Sequence, residues 1–215
     1  KFELDKVLAA FPDDRFALIA FAADAHLQCP LTADQSALRL FLESLNTGQV
    51  NAEGTTFGPA LRLATEKALA SASNQSKAIL LVSDGENFGG DDRDALRLLQ
   101  RNNIPLLALG VGTRTGGGIL TSNGPLHDEE GQRVVTHLRP DALQRLASAT
   151  GGGYFELTNR RNDVGQLIER LGRLEGRVID QRKITVAANK YAYFLVAALV
   201  LLALDVLIRV RAIRL

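Results

Sequence analysis

The 215-residue chain contains no methionine, no tryptophan and one cysteine, and its formal net charge at pH 7 is only +1. A single cysteine, Cys29, cannot form a disulfide within the chain, and its apolar neighbours favour packing over reactivity. The near-neutral charge, and the lack of aromatic residues interleaved with basic ones, argue against a nucleic-acid surface. We therefore expect no nucleic-acid partner.

The motifs of common enzymes are also missing. The sequence has no P-loop and no Ser-His-Asp or paired-carboxylate arrangement, and His26, His127 and His137 lack metal-ligand spacing. The glycines from Gly110 to Gly116 depart from the dinucleotide fingerprint in the spacing to the third glycine. The sequence favours a binding protein that is not an enzyme. The alternative is a membrane-anchored nucleotide-binding oxidoreductase that uses the Gly110–Gly116 loop.

The first residues have helical spacing, because Leu4, Val7, Leu8 and Phe11 fall on one face. A helix in progress at residue 1, where no methionine stands, predicts that the natural N-terminus lies upstream.

What the sequence does contain is a set of short apolar runs separated by amphipathic segments. Phe16–Ala22, Ala78–Val82 and Pro105–Val111 are continuously apolar, which is typical of strands buried on both faces. Ala25–Cys29 is predicted as an edge strand and Tyr154-Phe155 as a last short strand. Strands that alternate with helices predict an α/β fold, with a doubly wound, mainly parallel sheet covered on both faces.

Helical spacing of apolar residues predicts the covering helices. They are expected at residues 60–72, 91–103, 140–150 and 164–174, and one more begins behind a capping box of Thr32 and Gln35. Asp128 to Gly131 has the composition of a hairpin turn.

Polar residues follow two of the predicted strands and precede one predicted helix. Ser83-Asp84-Gly85-Glu86 and Gly112-Thr113 end strands, and Gly54-Thr55 stands before the helix at 60–72. In open parallel sheets, ligands bind beyond the carboxyl ends of the strands. A threonine hydroxyl and an aspartate carboxylate offer the oxygen ligands that Mg²⁺ prefers, although two residues do not make a specific site. Thr55 and Asp84 are therefore the candidate ligands, and Glu86 is expected to be solvated.

The C-terminal segment has the properties of a transmembrane helix. Tyr191–Ile208 is about 18 residues or about 27 Å of helix, close to the roughly 30 Å hydrocarbon core of a bilayer. Tyrosines stand at one end, and arginines follow the other, where Asp205 lies one turn from Arg209 and can pair with it. We expect a domain at residues 1–176, a basic linker at 177–190, a transmembrane helix at 191–210 and a short basic tail at 211–215.

These motifs, in this order, resemble the von Willebrand factor type A (VWA) family over residues 1 to about 176. The resemblance rests on Asp14–Ala22, Gly54-Thr55, Ser83-Asp84-Gly85 and Gly110-Val111-Gly112-Thr113. More narrowly, the chain is similar to the membrane-anchored BatA/BatB (aerotolerance) group in the Asp84–Asn87 loop, the Gly151-Gly152 turn and the Tyr193-Phe194-Leu195 start of the terminal segment.

The resemblance implies a Rossmann-like fold with a metal-ion-dependent adhesion site, built by three loops that supply Asp-x-Ser-x-Ser, a threonine and an aspartate. Thr55 matches the threonine and Asp84 the aspartate, whereas no Asp-x-Ser-x-Ser occurs in the sequence. That motif belongs to the family's first strand, so the resemblance implies a fold that lacks this strand here. The implied cofactor is Mg²⁺ or Mn²⁺ in the intact protein, with an incomplete site in residues 1–215.

Resemblance to the Bat group also implies partners, namely other Bat-type membrane proteins and a MoxR-type AAA+ ATPase, besides the lipid bilayer. It further implies that the VWA domain lies outside the cytoplasm and the C-terminus inside. The basic residues on the two sides of the span are too evenly divided to set this orientation.

Overall fold

The computed structural model describes residues 1–46, 54–70, 75–87, 92–118, 120–121, 124–125, 131–132 and 135–181. The chain divides into two compact units, Lys1–Gly176 and Arg177–Leu215. None of the helices in the described ranges is long and apolar enough to cross a membrane. The predicted span Tyr191–Ile208 lies outside the described residues.

A three-stranded parallel sheet forms the centre of the first unit. Its strands are β3 (Ile79–Ser83), β4 (Leu106–Val111) and β9 (Gly153–Leu157), in the order β3-β4-β9. Leu81 pairs with Ala108 in the first ladder and Ala108 with Tyr154 in the second. The predicted parallel sheet is therefore confirmed for these strands.

Helices cover both faces of this sheet. On one face lie α3 (Phe57–Ala70), α4 (Arg93–Arg101) and α5 (Pro140–Ala149), and on the other lie α1 (Phe2–Ala10) and α6 (Val164–Gln181). The helix ends differ from the predicted ends by a few residues, most of all at α6, which continues beyond the predicted residue 174.

Strand β4 shows why its sequence is apolar at every position. Leu106 and Ala108 belong to the core shared with α3, α4 and α5, whereas Leu107 and Leu109 belong to the core shared with α1 and α6. Successive side chains of a strand point to opposite faces, so a strand covered on both faces needs hydrophobic residues throughout. The doubly wound arrangement expected from the sequence is thus present around β4.

Strand β1 (Phe16–Phe21) does not join this sheet. It pairs with β2 (Ala25–Thr32) in a separate antiparallel sheet, in which Phe21 lies opposite Ala25 and Ile19 opposite Leu27. In the part of the chain that the structure describes, β1 has no second strand partner, and β3 has none on the side away from β4. The prediction of Phe16–Ala22 as a strand of the parallel sheet is therefore wrong for the described residues, among which β1 pairs only with β2.

Helix α2 (Gln35–Ser44) begins two residues later than it would if Thr32 were its N-cap. Its N-cap is Asp34, whose Oδ1 accepts two backbone N–H groups of the first turn at 3.0 Å each. Thr32 instead ends β2, and its hydroxyl accepts the N–H of Asp34. The Gln35 side chain donates to two carbonyls at the end of α1, so it ties α2 to α1. The predicted capping box of Thr32 and Gln35 is wrong.

Two short antiparallel pairs follow β4. They are β5 (Gly117–Gly118) with β8 (Val135–Thr136) and β6 (Leu120–Thr121) with β7 (Gly124–Pro125). The predicted hairpin turn at residues 128–131 lies outside the described residues except for Gly131.

Candidate functional site

The loop after β3 holds the Asp84 side chain in a fixed position. Asp84 Oδ1 accepts the backbone N–H of Glu86 at 3.1 Å and the Ser83 hydroxyl at 3.4 Å. The Ser83 hydroxyl oxygen in turn accepts the N–H of Gly85 at 3.1 Å. This local turn is what Ser, Asp and Gly favour after a strand, and it leaves the carboxylate half-buried at the carboxyl end of the sheet.

Gly85 is required where this loop meets the start of α5. Its φ is +84°, which residues with a Cβ rarely adopt, and a Cβ there would overlap the carbonyl oxygen of Arg139. The contact is close because the Arg139 N–H donates to the carbonyl oxygen of Asp84 at 2.7 Å.

The segment of residues 137–139 joins the ends of β3 and β4. Besides the bond from Arg139 to Asp84, the N–H of Leu138 donates to the carbonyl oxygen of Thr113 at 3.0 Å. In addition, the N–H of Gly112 donates to Leu157, at the end of β9. The loops at the carboxyl ends of all three parallel strands are therefore hydrogen-bonded into one rim.

Thr55 lies next to a residue that is hydrogen-bonded to the chain just after β1. The N–H of its neighbour Thr56 donates to the carbonyl oxygen of Ala22, directly after β1, at 2.9 Å. Helix α3 then begins at Phe57, which is fully buried, stands edge-on to Phe21 and shares a core with Leu81 of β3. The loops that hold the two candidate ligands therefore border the same core.

Glu86 was expected to be solvated, and the structure shows this to be wrong. Its side chain is only 12% exposed, lies 3.7 Å from the guanidinium of Arg139 and accepts the N–H of His137. Sequence reasoning missed this contact because Glu86 and Arg139 are far apart in the chain, and no local pattern signals that they meet.

A second buried carboxylate, Glu156 of β9, lies on the same rim. It accepts the Tyr154 hydroxyl at 3.1 Å and is paired with Arg114 at 2.9 Å. Burial, and next the negative charge of Glu156, raise the pKa of Tyr154 well above its usual range, so the hydroxyl remains a donor. Gly110 makes room for it, since a Cβ there would stand 2.7 Å from the Tyr154 oxygen. No motif in the sequence pointed to Tyr154, Glu156 or Arg114 as residues of this rim.

The donor types at the two candidate positions suit a hard divalent cation, since both are oxygens. Their number does not complete a coordination shell. In the described ranges, no group of three or more His, Cys, Asp or Glu side chains is placed to hold a metal ion. Thr55 and Asp84 therefore offer the kind of ligand atom that such a cation prefers, but the described residues show no complete metal site.

The order of these strands and loops can be compared with known proteins. The profile of the von Willebrand factor type A domain matches residues 3–170. The chain belongs to the von Willebrand factor type A family. This confirms the resemblance drawn from Gly54-Thr55, Ser83-Asp84-Gly85 and the Gly110–Thr113 loop.

Solved structures relate this VWA domain to the Bat group. The conserved hypothetical protein BatB from Bacteroides thetaiotaomicron is 27% identical, with a TM-score of 0.72 over 80% of this chain and 85% of that chain. An aerotolerance-related membrane protein from Bacteroides fragilis, carrying multiple mutations to serine, is 28% identical, with a TM-score of 0.69 over 80% and 88%.

A more distant VWA structure carries a metal in its own site. Proximal thread matrix protein 1 from the mussel byssus, with a zinc-occupied MIDAS motif, is 14% identical, with a TM-score of 0.53 over 80% of this chain and 42% of that chain. At this identity the likeness shows the fold alone. No match was found among curated proteins.

Proposed function

We propose that this VWA domain binds protein partners through a metal-ion-dependent adhesion site in which Thr55 and Asp84 are two of the ligands. The observation that supports the proposal is that Asp84 directly follows β3, while Thr56, the neighbour of Thr55, is bonded to the chain after β1, and that both loops border one core. It is supported by the family match over residues 3–170.

The proposed cation is Mg²⁺ or Mn²⁺, which the Thr55 hydroxyl, the Asp84 carboxylate and further oxygen ligands would hold. When bound, it provides a positive centre to which a carboxylate of the partner can be attached. The protein's own part is to orient Asp84, through the bonds from Ser83 and Glu86, and to keep the rim rigid through the segment of residues 137–139.

The role proposed is binding rather than catalysis. The competing function, a nucleotide-binding oxidoreductase, needs a glycine loop that leads from a strand into a helix N-terminus, where the pyrophosphate binds. Here the loop after β4 leads instead into the short strand β5, and the space beside Gly110 is taken by the Tyr154 hydroxyl. These observations favour the adhesion site.

We further propose a membrane location and Bat-type partners. The two neighbours at 27–28% identity are named BatB and an aerotolerance-related membrane protein, and Tyr191–Ile208 has the length and composition of a span. The partners proposed from this relationship are other Bat-type membrane proteins and a MoxR-type AAA+ ATPase.

Isothermal titration of the natural full-length protein tests the site. We expect Mg²⁺ or Mn²⁺ to bind, Asp84→Ala to abolish binding and Thr55→Ala to weaken it, while Asp13→Ala, at an exposed turn, leaves binding unchanged. NAD is expected not to bind. Binding of NAD without any metal binding, unaffected by Asp84→Ala, would establish the oxidoreductase instead.

A further inference from the structure

Helices α3 and α4 form a groove on the surface of the domain. It has a volume of about 400 Å³ and is lined by Arg62 and Glu66 of α3 and by Asp94, Arg97, Leu98 and Arg101 of α4. The two helices that form the groove are held in place by packing, because Leu61 of α3 and Leu99 of α4 are buried in the core.

The charges of the groove are not balanced within it. Three guanidinium groups face two carboxylates, and the one ion pair among them is Asp94–Arg97 at 3.2 Å, with both side chains well exposed. Within the described part of the chain, Arg62 and Arg101 form no ion pair. An exposed pair such as Asp94–Arg97 is weak, so the Arg97 guanidinium can exchange its partner at little cost.

The spacing of the arginines suits several acidic groups in a row. Arg97 and Arg101 are one turn apart, about 6 Å along the axis of α4, and Arg62 stands on the opposite wall. Leu98, half-buried on α4, gives the groove an apolar surface for the methylene groups of a partner side chain. A guanidinium binds a carboxylate through two parallel hydrogen bonds, so each free arginine can select one acidic side chain.

We propose that this groove is a docking site for an acidic segment of a partner protein. A flat membrane surface does not enter a concave groove between two helices. Glu66 and Asp94 stand among the arginines, so the groove favours a partner whose acidic groups are separated over one with an uninterrupted row of negative charges, such as nucleic acid. The proposal is independent of the Thr55–Asp84 site, since residues of the helices α3 and α4 line the groove and the two candidate ligands do not.

The test measures binding of a short fluorescein-labelled peptide, in which single glutamates are separated by leucine and neutral residues, to the full chain in mild detergent by fluorescence anisotropy. We expect the double variant Arg62→Glu with Arg101→Glu to lower the affinity by about tenfold or more. The matched control is Arg145→Glu with Arg160→Glu, which makes the same change of net charge at exposed positions outside the groove and should bind like the parent. Circular dichroism verifies that both variants are folded, and Arg62→Gln with Arg101→Gln, which adds no negative charge, should also weaken binding.

Three outcomes would overturn the proposal. The first is equal binding by the groove variant and the control variant. The second is equal binding of a peptide in which glutamine replaces glutamate. The third is absence of peptide binding while inorganic phosphate or anionic vesicles bind in an arginine-dependent way, which would assign the groove to a free oxyanion or to a lipid headgroup.

Discussion

Gly85 shows how one residue determines the shape of the candidate site. It combines a positive φ with a position where a Cβ would overlap the Arg139 carbonyl. Gly85→Ala should therefore lower the free energy of unfolding by about 3 kcal/mol, because backbone strain and steric overlap add. Urea unfolding followed by circular dichroism measures this change.

Gly151 provides the matched control for that substitution. Its φ is +69°, and no atom lies within 4 Å of a Cβ built on it. Gly151→Ala should cost only about 1 kcal/mol, since the conformational strain remains and the overlap is absent. Equal costs at the two positions would show that the contact with Arg139 does not restrict the loop.

Asp163 gives the domain a pH-dependent contribution to stability. Its buried carboxylate accepts the N–H of Glu156 at 3.0 Å and is paired with Arg161 at 2.7 Å. Burial by itself raises the pKa of Asp163, but the bonds from Arg161 and from the Glu156 backbone outweigh it and hold the pKa below the ordinary value. The stabilisation is then fully present above the unfolded pKa of about 4 and is lost as the pH falls through the lower folded pKa.

Asp163→Asn should remove this pH dependence and cost about 2 kcal/mol at pH 7, because a charge-assisted pair in a buried position is lost. The free energy of unfolding at pH 7 and at pH 3 should differ less in the variant than in the parent. A parent and a variant with parallel pH profiles would contradict the role of this carboxylate.

At the scale of elements, β4 is the strand on which the two cores depend. It is paired on both edges, and Leu107 is fully buried. Leu107→Ala should reduce the free energy of unfolding by about 2–5 kcal/mol through loss of buried contacts. Leu40→Ala, on the exposed face of α2, should change it by less than about 0.5 kcal/mol. Similar losses at the two positions, measured by urea unfolding, would contradict this account of the core.

The same elements show which features the sequence could predict. The runs at Ala78–Val82 and Pro105–Val111 correctly predicted parallel strands. For β4 the reason is burial on both faces, which imposes apolar residues at nearly every position. The polar turn after β3 was also predictable, because Ser, Asp and Gly each favour turn conformations through local hydrogen bonds or a positive φ. These signals are contained within a few consecutive residues.

Features that depend on distant residues were not predictable. The apolar run at Phe16–Ala22 suits a strand of a parallel sheet, but its pairing depends on which strands lie beside it. The burial of Glu86 beside Arg139, and the pairing of Glu156 with Arg114, require segments about 40 to 50 residues apart to meet. No periodic pattern in the sequence encodes such a contact.

At the scale of the whole molecule, the proposed orientation in the membrane can be tested directly. We expect the VWA domain outside the cytoplasm and residues 209–215 inside. Single cysteines at Ala212 and at Ser122, in a Cys29→Ser background, would be labelled in intact cells with an impermeant thiol reagent. Labelling at position 122 alone is expected, and labelling at position 212 alone would establish the reverse orientation.

The division of the strands into two sheets has a consequence for how the domain opens. Among the described residues, no ladder hydrogen bond joins β1 and β2 to β3, β4 and β9. Strands that are joined by ladder hydrogen bonds tend to unfold together. The amide protons of β1 should therefore exchange with solvent through a smaller, separate unfolding event than those of β4. Native-state hydrogen exchange should resolve the β1–β2 hairpin as a distinct cooperative unit. If a further strand paired with both β1 and β3, the two sheets would unfold together. The slow amide exchange of β4 would then extend to β1.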